Sequence, residues 1–318
     1  MKISDLTVGS NCTITLVVKS ATPRKTRASK DYLQLELYDG VDTINGNYWD
    51  WSSGKVPEPN AILDVTATVS EWQGAKQLSI SSLVTNTDRV LSEFAPSSAY
   101  DISDAYKEAY TIAGSITDDF LRDLTLGILE ELKVRWLEVP GARSVHHAFV
   151  GGTLVHSVQV AKIARSIVYC IPEANIDLCI AGALLHDVGK LFTYKMNGLA
   201  IELTDEGLLY DHIFMGAEFV GNYADNFDES SYDNVEYKRR LLRHVILAHH
   251  GKLEYGSAVT PKCIEAMIVH AADGLDASAE QVRAAATKTP DGKKWTERIY
   301  TLNNSPCLVP DYVSAVFE

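Results

Sequence analysis

A-G-A-L-L-H-D-V-G-K, residues 181–190, is an apolar helical run that ends in two metal-capable side chains and, one turn further on, a lysine. His186 and Asp187 stand among apolar residues, where unpaired polar groups are costly. Lys190 is four residues beyond His186 and shares its helix face.

Outward from this stretch, other metal-capable residues form an ordered series: His156 ahead of it, then His212, the pair His249-His250, and Asp273. Imidazole and carboxylate are the ligands of catalytic divalent metals. A lone histidine is more often a hydrogen-bonded core or surface residue. Five helical segments each offering such a group are better explained by one shared site, built as bundles build them, with ligands projecting inward. Residues 150–170, 177–188, 209–225, 235–249 and 261–286 all carry the helical period, as does one long segment from Ile116 to Val139.

The first ninety residues have another texture. Residues 11–18 and 32–38 alternate with period two, and strand-like runs follow at 43–51, 62–70 and 77–84. Five short strands in so short a span predict a small OB-like barrel whose loop between the first two strands faces nucleic acid, with a generic small β-domain as the alternative. The expected division is an OB-like domain over 1–90, a Pro- and Ser-containing linker over 91–114, a helical domain over 115–290 and an extension over 291–318, giving an α+β multidomain class.

Net charge is −13, which on its face argues against a polyanionic partner. The charge is unevenly spread, however. Residues 1–90 hold nine Lys and Arg against ten Asp and Glu, leaving 20 basic and 32 acidic residues for the rest. Lys19, Arg24, Lys25, Arg27 and Lys30 run without an acidic residue until Asp31, and such a cluster binds phosphate even on an acidic protein. Trp49 and Trp51, two residues apart, share a face if the strand runs through them, and aromatic rings on such a surface stack unpaired bases. Tryptophan in a small barrel is at least as often core. The five cysteines lack C-x-x-C spacing, so neither a thiolate metal cage nor a disulfide framework is indicated, and a reducing cytoplasm is the expected setting. No apolar run reaches the length of a membrane span, and the first residues read as a strand rather than a signal peptide.

H-H-A-F-V-G-G-T-L-V-H-S (146–157), A-L-L-H-D-V-G-K, L-A-H-H-G-K-L-E-Y-G-S (247–257) and H-A-A-D-G-L-D-A (270–277) together resemble the four blocks of the HD-domain metal-dependent phosphohydrolases. Within them, the third block and the domain ahead of it resemble the YhaM-type 3′-5′ exoribonucleases along almost the whole chain. The resemblance implies two divalent ions, Mn²⁺ or Co²⁺ foremost, then Fe, Ni, Zn or Mg. It places His156, His186, Asp187 and Asp273 on the first and lets Asp187 bridge to a second held by His212 and His249. Asp187, Lys190 and His250 are then the catalytic candidates, Lys190 as a phosphate contact and His250 either as a phosphate contact or as a support behind the ligands. Arg24, Lys25, Arg27, Trp49, Trp51, Arg143 and His147 are the candidates for touching the strand. The implied substrate is single-stranded RNA, with single-stranded DNA as a second, no membrane is involved, and a homo-oligomer is compatible. A nucleotide or cyclic-nucleotide phosphohydrolase and a silent strand-binding adaptor are the alternatives. The barrel disfavours the former and the full ligand set the latter.

Overall fold

The computed structural model describes residues 1–52, 54–94, 100–142, 147–290 and 292–309. Met1–Ser97 with Met196–Ala200 form one compact unit, and Ser98–Lys195 with Ile201–Glu318 the other.

The first unit is the expected five-stranded closed barrel. Its strands are β1 (Asn11–Lys25), β2 (Asp31–Tyr38), β3 (Thr43–Tyr48), β4 (Ile62–Trp72) and β5 (Ala75–Thr85), joined in the order β1-β2-β3-β5-β4. Every pair is antiparallel except β3 with β5, which is parallel and closes the barrel. Closure leaves no free sheet edge around the core. Alternation decides the inward face: Leu33, Leu35 and Leu37 on β2 and Ile14 and Leu16 on β1 fill the interior. Each such side chain contributes roughly 1.5–3 kcal/mol by leaving water.

Two details differ from the expectation. β1 continues to Lys25 and pairs with β2 as far as Asp31, so the basic segment is mostly a protruding hairpin with only residues 26–30 beyond the strands. Beyond Val18 β1 no longer has β4 as a neighbour, and an edge stretch whose residues are mostly exposed can be polar and can carry Pro23. β3 stops at Tyr48, with Trp49 and Asp50 in a turn, so Trp49 and Trp51 do not share a strand face.

The second unit is helical: α1 (Ile102–Gly114), α2 (Asp119–Glu131), α3 (Lys133–Glu138), α4 (Gly152–Val168), α5 (Ile176–Leu185), α6 (Lys190–Thr193), α7 (Asp205–Ala224), α8 (Val235–Ala248) and α9 (Ile264–Thr287). Between α6 and α7 the strands β6 (Tyr194–Asn197) and β7 (Ala200–Leu203) pair. All of α5 from Asp177 to Leu185 is buried, as a helix without a polar face must be. It lies against α4, α8 and α9, which bring three of the other ligand candidates.

The segment read as linker is in part helix. Asp101 caps α1 by accepting from the Asp104 N–H, and Tyr106, Ala109, Ile112 and Ala113 enter the core, so α1 belongs to the bundle. The expected long helix from Ile116 is broken at Leu132, where the backbone leaves helical geometry and Trp136 turns into the core. Among the described residues no helix is long and apolar enough to cross a membrane.

Candidate metal centre

Four buried imidazoles converge on one carboxylate. His156 comes from the middle of α4, His186 and Asp187 from the end of α5, His212 from α7 and His249 from the end of α8, and all five side chains are under a tenth exposed. The Nδ1 of each imidazole has a fixed partner. His186 Nδ1 donates to Ala183 O at 2.8 Å and His249 Nδ1 to Ile246 O at 2.7 Å, each to the carbonyl three residues back on its own helix. Asp211 Oδ1 takes His212 Nδ1 at 2.5 Å and Asp276 Oδ2 takes His156 Nδ1 at 2.8 Å. With Nδ1 holding the proton, each Nε2 presents a lone pair inward.

The two oxygens of Asp187 face different pairs. Oδ2 lies 3.5 Å from His156 Nε2 and 3.3 Å from His186 Nε2, while Oδ1 lies 3.5 Å from both His212 Nε2 and His249 Nε2. Asp273 Oδ1 joins the first group, 3.1 Å from His156 Nε2. Ligand atoms about 2.1 Å from a shared ion stand roughly 3.0–3.4 Å apart in octahedral or tetrahedral geometry, and the 3.1–3.5 Å found here is close to that spacing. Asp187 Oδ1, His212 Nε2 and His249 Nε2 are buried without a hydrogen-bond partner among the described residues. Orphaned lone pairs of this kind fit a cation between them.

Charge balance within the centre is tight. Burial pushes the Asp187 carboxyl up, but the Lys190 ammonium and the His186 imidazole overcome it and hold it well below the carboxylate range. Lys190 Nζ is 2.7 Å from Asp187 Oδ2, and Lys190 is itself only 7% exposed. Burial lowers His156, yet Asp273 and Asp276 raise it to about 9, so a proton can take a cation's place there. Burial lowers His212 and His249, favouring the neutral form that ligands require, and lowers His250 beside them.

Two glycines permit the approach. A Cβ on Gly189 would stand 1.9 Å from His212 O, so no larger residue lets α7 bring His212 to Asp187. Gly251, at φ +76°, would meet the His270 ring at 2.3 Å. Asp211 also holds positive φ, breaking α7 beside His212.

The centre opens into a cavity of about 700 Å³ lined by Asp187, Lys190, His212, His250, His270 and Asp273. His249 is buried and His250 half-buried, its Nδ1 donating to Tyr255 O at 2.8 Å. Tyr255 lines the cavity, whereas Glu254 pairs with Lys252.

His147 does not face the cavity: 2% exposed, its Nε2 lies 2.8 Å from Asp276 Oδ2, behind His156. Expected to touch the strand, it instead shares a carboxylate with a ligand. Arg143, and His146 beside it, lie outside the described residues. On the barrel, Trp49 is 41% exposed and packs on Tyr32 at 4.6 Å between ring centroids, while Trp51 packs against the barrel core. Arg24 and Arg27 are exposed and in no ion pair among the described residues, whereas Lys25 pairs with Asp31. Asp276 and His270, whose Nδ1 donates to His249 O at 2.7 Å, were not among the sequence candidates. A carboxylate three residues after Asp273, and so on its helix face, was the available signal for Asp276.

Comparison with known proteins agrees with this geometry. A family model of the HD domain matches residues 153–278, the span from α4 to α9 that carries every ligand candidate. The 3′-5′ exoribonuclease YhaM of Geobacillus sp. (strain WCH70) is 30% identical over 317 residues, covering 98% of this chain and 95% of the relative. No solved structure matches the chain. An HD-type cluster of histidines and aspartates, following a five-stranded barrel in the sequence and with near-complete coverage of that relative, places the chain in the YhaM family of HD-domain proteins.

Proposed function

We propose that the protein is a metal-dependent 3′-5′ exoribonuclease that shortens single-stranded RNA to mononucleotides and accepts single-stranded DNA. The observation that carries this is the set of four imidazoles, each with Nδ1 occupied and Nε2 aimed at Asp187. His156, His186, Asp187 Oδ2 and Asp273 would hold one divalent cation, and Asp187 Oδ1, His212 and His249 a second. What such a pair supplies is a water nucleophile at neutral pH and neutralisation of the phosphoryl oxygens. Mn²⁺ or Co²⁺ suits this mixed nitrogen and oxygen donor set.

The remaining roles fall to the chain itself. Lys190, held beside Asp187, offers a point charge to a phosphoryl oxygen, and His250, on the cavity wall with Nδ1 bound, presents Nε2 toward the scissile group. Asp276 orients His156 and keeps its Nε2 directed inward. The barrel, with its basic hairpin and exposed Trp49, holds strand beyond the reacting end, which a mononucleotide substrate would not require. Five scattered cysteines, all free, suit a cytoplasmic enzyme.

The test uses end-labelled single-stranded RNA and DNA with Mn²⁺, Co²⁺, Mg²⁺ or chelator. A ladder retreating from the 3′ end, mononucleotide product and loss of activity with chelator are expected. A 3′ phosphate should slow the reaction. Cutting of circular RNA would overturn the exonuclease reading, and hydrolysis confined to free nucleotides would establish a nucleotidase.

A further inference from the structure

A second cavity of about 560 Å³ lies between the end of α9 and the C-terminal extension. We infer that it is a subsite for single-stranded nucleic acid, holding the part of the strand that trails behind the 3′ end. This rests on the activity proposed above. Gln281 and Thr301 line both this cavity and the metal cleft, so the two are neighbours along α9.

The lining has the chemistry of a strand-binding groove. Among the described lining residues Lys288, Lys293 and Arg298 stand against one carboxylate, Glu297, in a chain of net charge −13. Neither Lys288 nor Lys293 is in an ion pair among the described residues. Trp295 and Tyr300 also line the cavity and are 57% and 87% exposed. Exposed rings beside cations are how proteins grip unpaired bases and their backbone regardless of sequence.

The platform is built rather than loose. Trp295 bridges Leu308 and Ile299 bridges Ser305 in antiparallel fashion. Thr296 N donates to Cys307 O at 2.9 Å, Val309 N to Lys294 O at 2.8 Å and Arg298 Nη1 to Asn304 O at 2.9 Å. Thr301 Oγ1 donates to Gln281 Oε1, tying the extension to α9 between the two cavities. Rings presented from a fixed backbone lose less freedom on binding.

Reach sets the length dependence. Lys288, capping the end of α9, is fifteen positions beyond Asp273, a rise of about 22 Å at ~1.5 Å per residue. A strand covers that in on the order of seven nucleotides at ~3.4 Å each, and in fewer when stretched. A dinucleotide at the metal centre therefore stops short of the cations at the far end of the subsite, and a 12-mer reaches them.

The experiment compares the full-length wild type with Trp295→Ala/Tyr300→Ala and Lys288→Glu/Lys293→Glu on a dinucleotide and on 12-mers of RNA and DNA. Folding is checked by circular dichroism and melting. For the 12-mers KM should rise about tenfold with kcat nearly constant, and the dinucleotide should be unaffected. Binding of labelled 12-mers under chelator should weaken by a similar factor, on RNA and DNA alike, since rings and phosphates meet both. Charge reversal should also flatten the salt dependence by about one to two units of slope. Unchanged 12-mer affinity, or equal losses on both substrate lengths in folded protein, would overturn the subsite. If wild type releases no mononucleotide from the 3′ end, the activity reading fails, while binding under chelator still decides the subsite.

Discussion

His156 is held from both sides: its Nδ1 lies 2.8 Å from Asp276 Oδ2 while its Nε2 lies 3.1 Å from Asp273 Oδ1. Two carboxylates three residues apart on α9 thus grip one ring, one orienting it and the other sharing its inward nitrogen. Asp276 is 2% exposed and also takes His147 Nε2, so its charge is shared by two imidazoles. Burial pushes the Asp276 carboxyl up, but His147 and His156 hold it below the ordinary range.

Asp276→Asn should therefore weaken metal binding about 10- to 100-fold, because the amide keeps the shape and loses the charge that makes His156 a strong ligand. Calorimetric Mn²⁺ titration of the full chain measures this independently of turnover. Affinity equal to wild type would show that the carboxylate only packs.

Asp187→Ala removes both oxygens around which the imidazoles gather. Metal content after reconstitution should fall below that of wild type, and hydrolysis should drop to background. The fold should persist, since the surrounding helices keep their apolar contacts. Lys190 is left buried without its partner, so a moderate fall in melting temperature is expected as well. Full activity in this variant would remove Asp187 from the centre.

Much of this was legible in the chain because the signals were periodic. Leu33, Leu35 and Leu37 announce an inward strand face, and His186-Asp187 after an apolar run announces a buried polar pair. What was not legible lacks period. The outer half of β1 is mostly exposed and so shows no alternation, and Trp51 packs inward after β3 has ended at Tyr48. His249 and His250 look equivalent as neighbours. Their difference comes from the end of α8, where His249 Nδ1 reaches Ile246 O and His250 Nδ1 reaches the following turn at Tyr255. Asp276 looks like any helical carboxylate until α4 brings His156 against it.

Acid should destabilise the barrel through Asp39. This carboxylate, 4% exposed, accepts from Ile3 N at 2.6 Å and from Val41 N and Asp42 N at 2.8 Å, pinning the chain start to the turn after β2. Burial raises its pKa, and the backbone donors with Lys2 lower it by more, so it lies below its ordinary value. A carboxyl depressed in the folded state stabilises fully above its unfolded pKa, ~3.9, and loses that contribution as pH falls through the folded value. Asp39→Asn should cost about 1–3 kcal/mol at neutral pH and flatten the acid limb of the stability profile. An acid limb unchanged from wild type would refute the assignment.

The barrel's own grip on substrate is tested by separating its exposed groups from its structural ones. Trp49 is open to solvent and backed by Tyr32, whereas Trp51 packs on the core, so only Trp49→Ala reports on stacking without disturbing the fold. Arg24 and Arg27 are the exposed cations of the hairpin without an ion pair among the described residues, while Lys19, Lys25 and Lys30 pair with Glu36, Asp31 and Asp50. Arg24→Glu/Arg27→Glu thus changes phosphate attraction with least structural effect. Loss of one stacked base costs roughly 1–3 kcal/mol, so Trp49→Ala should raise KM for a long strand about tenfold or somewhat more. Uniform binding is what is lost, and kcat should stay near the wild-type value. A dinucleotide should show neither change. The double charge reversal should also lessen the salt dependence of long-strand binding, because fewer counterions are released. Equal losses on short and long substrates in folded protein would make the barrel a structural element and move the weight of strand binding onto the helical unit.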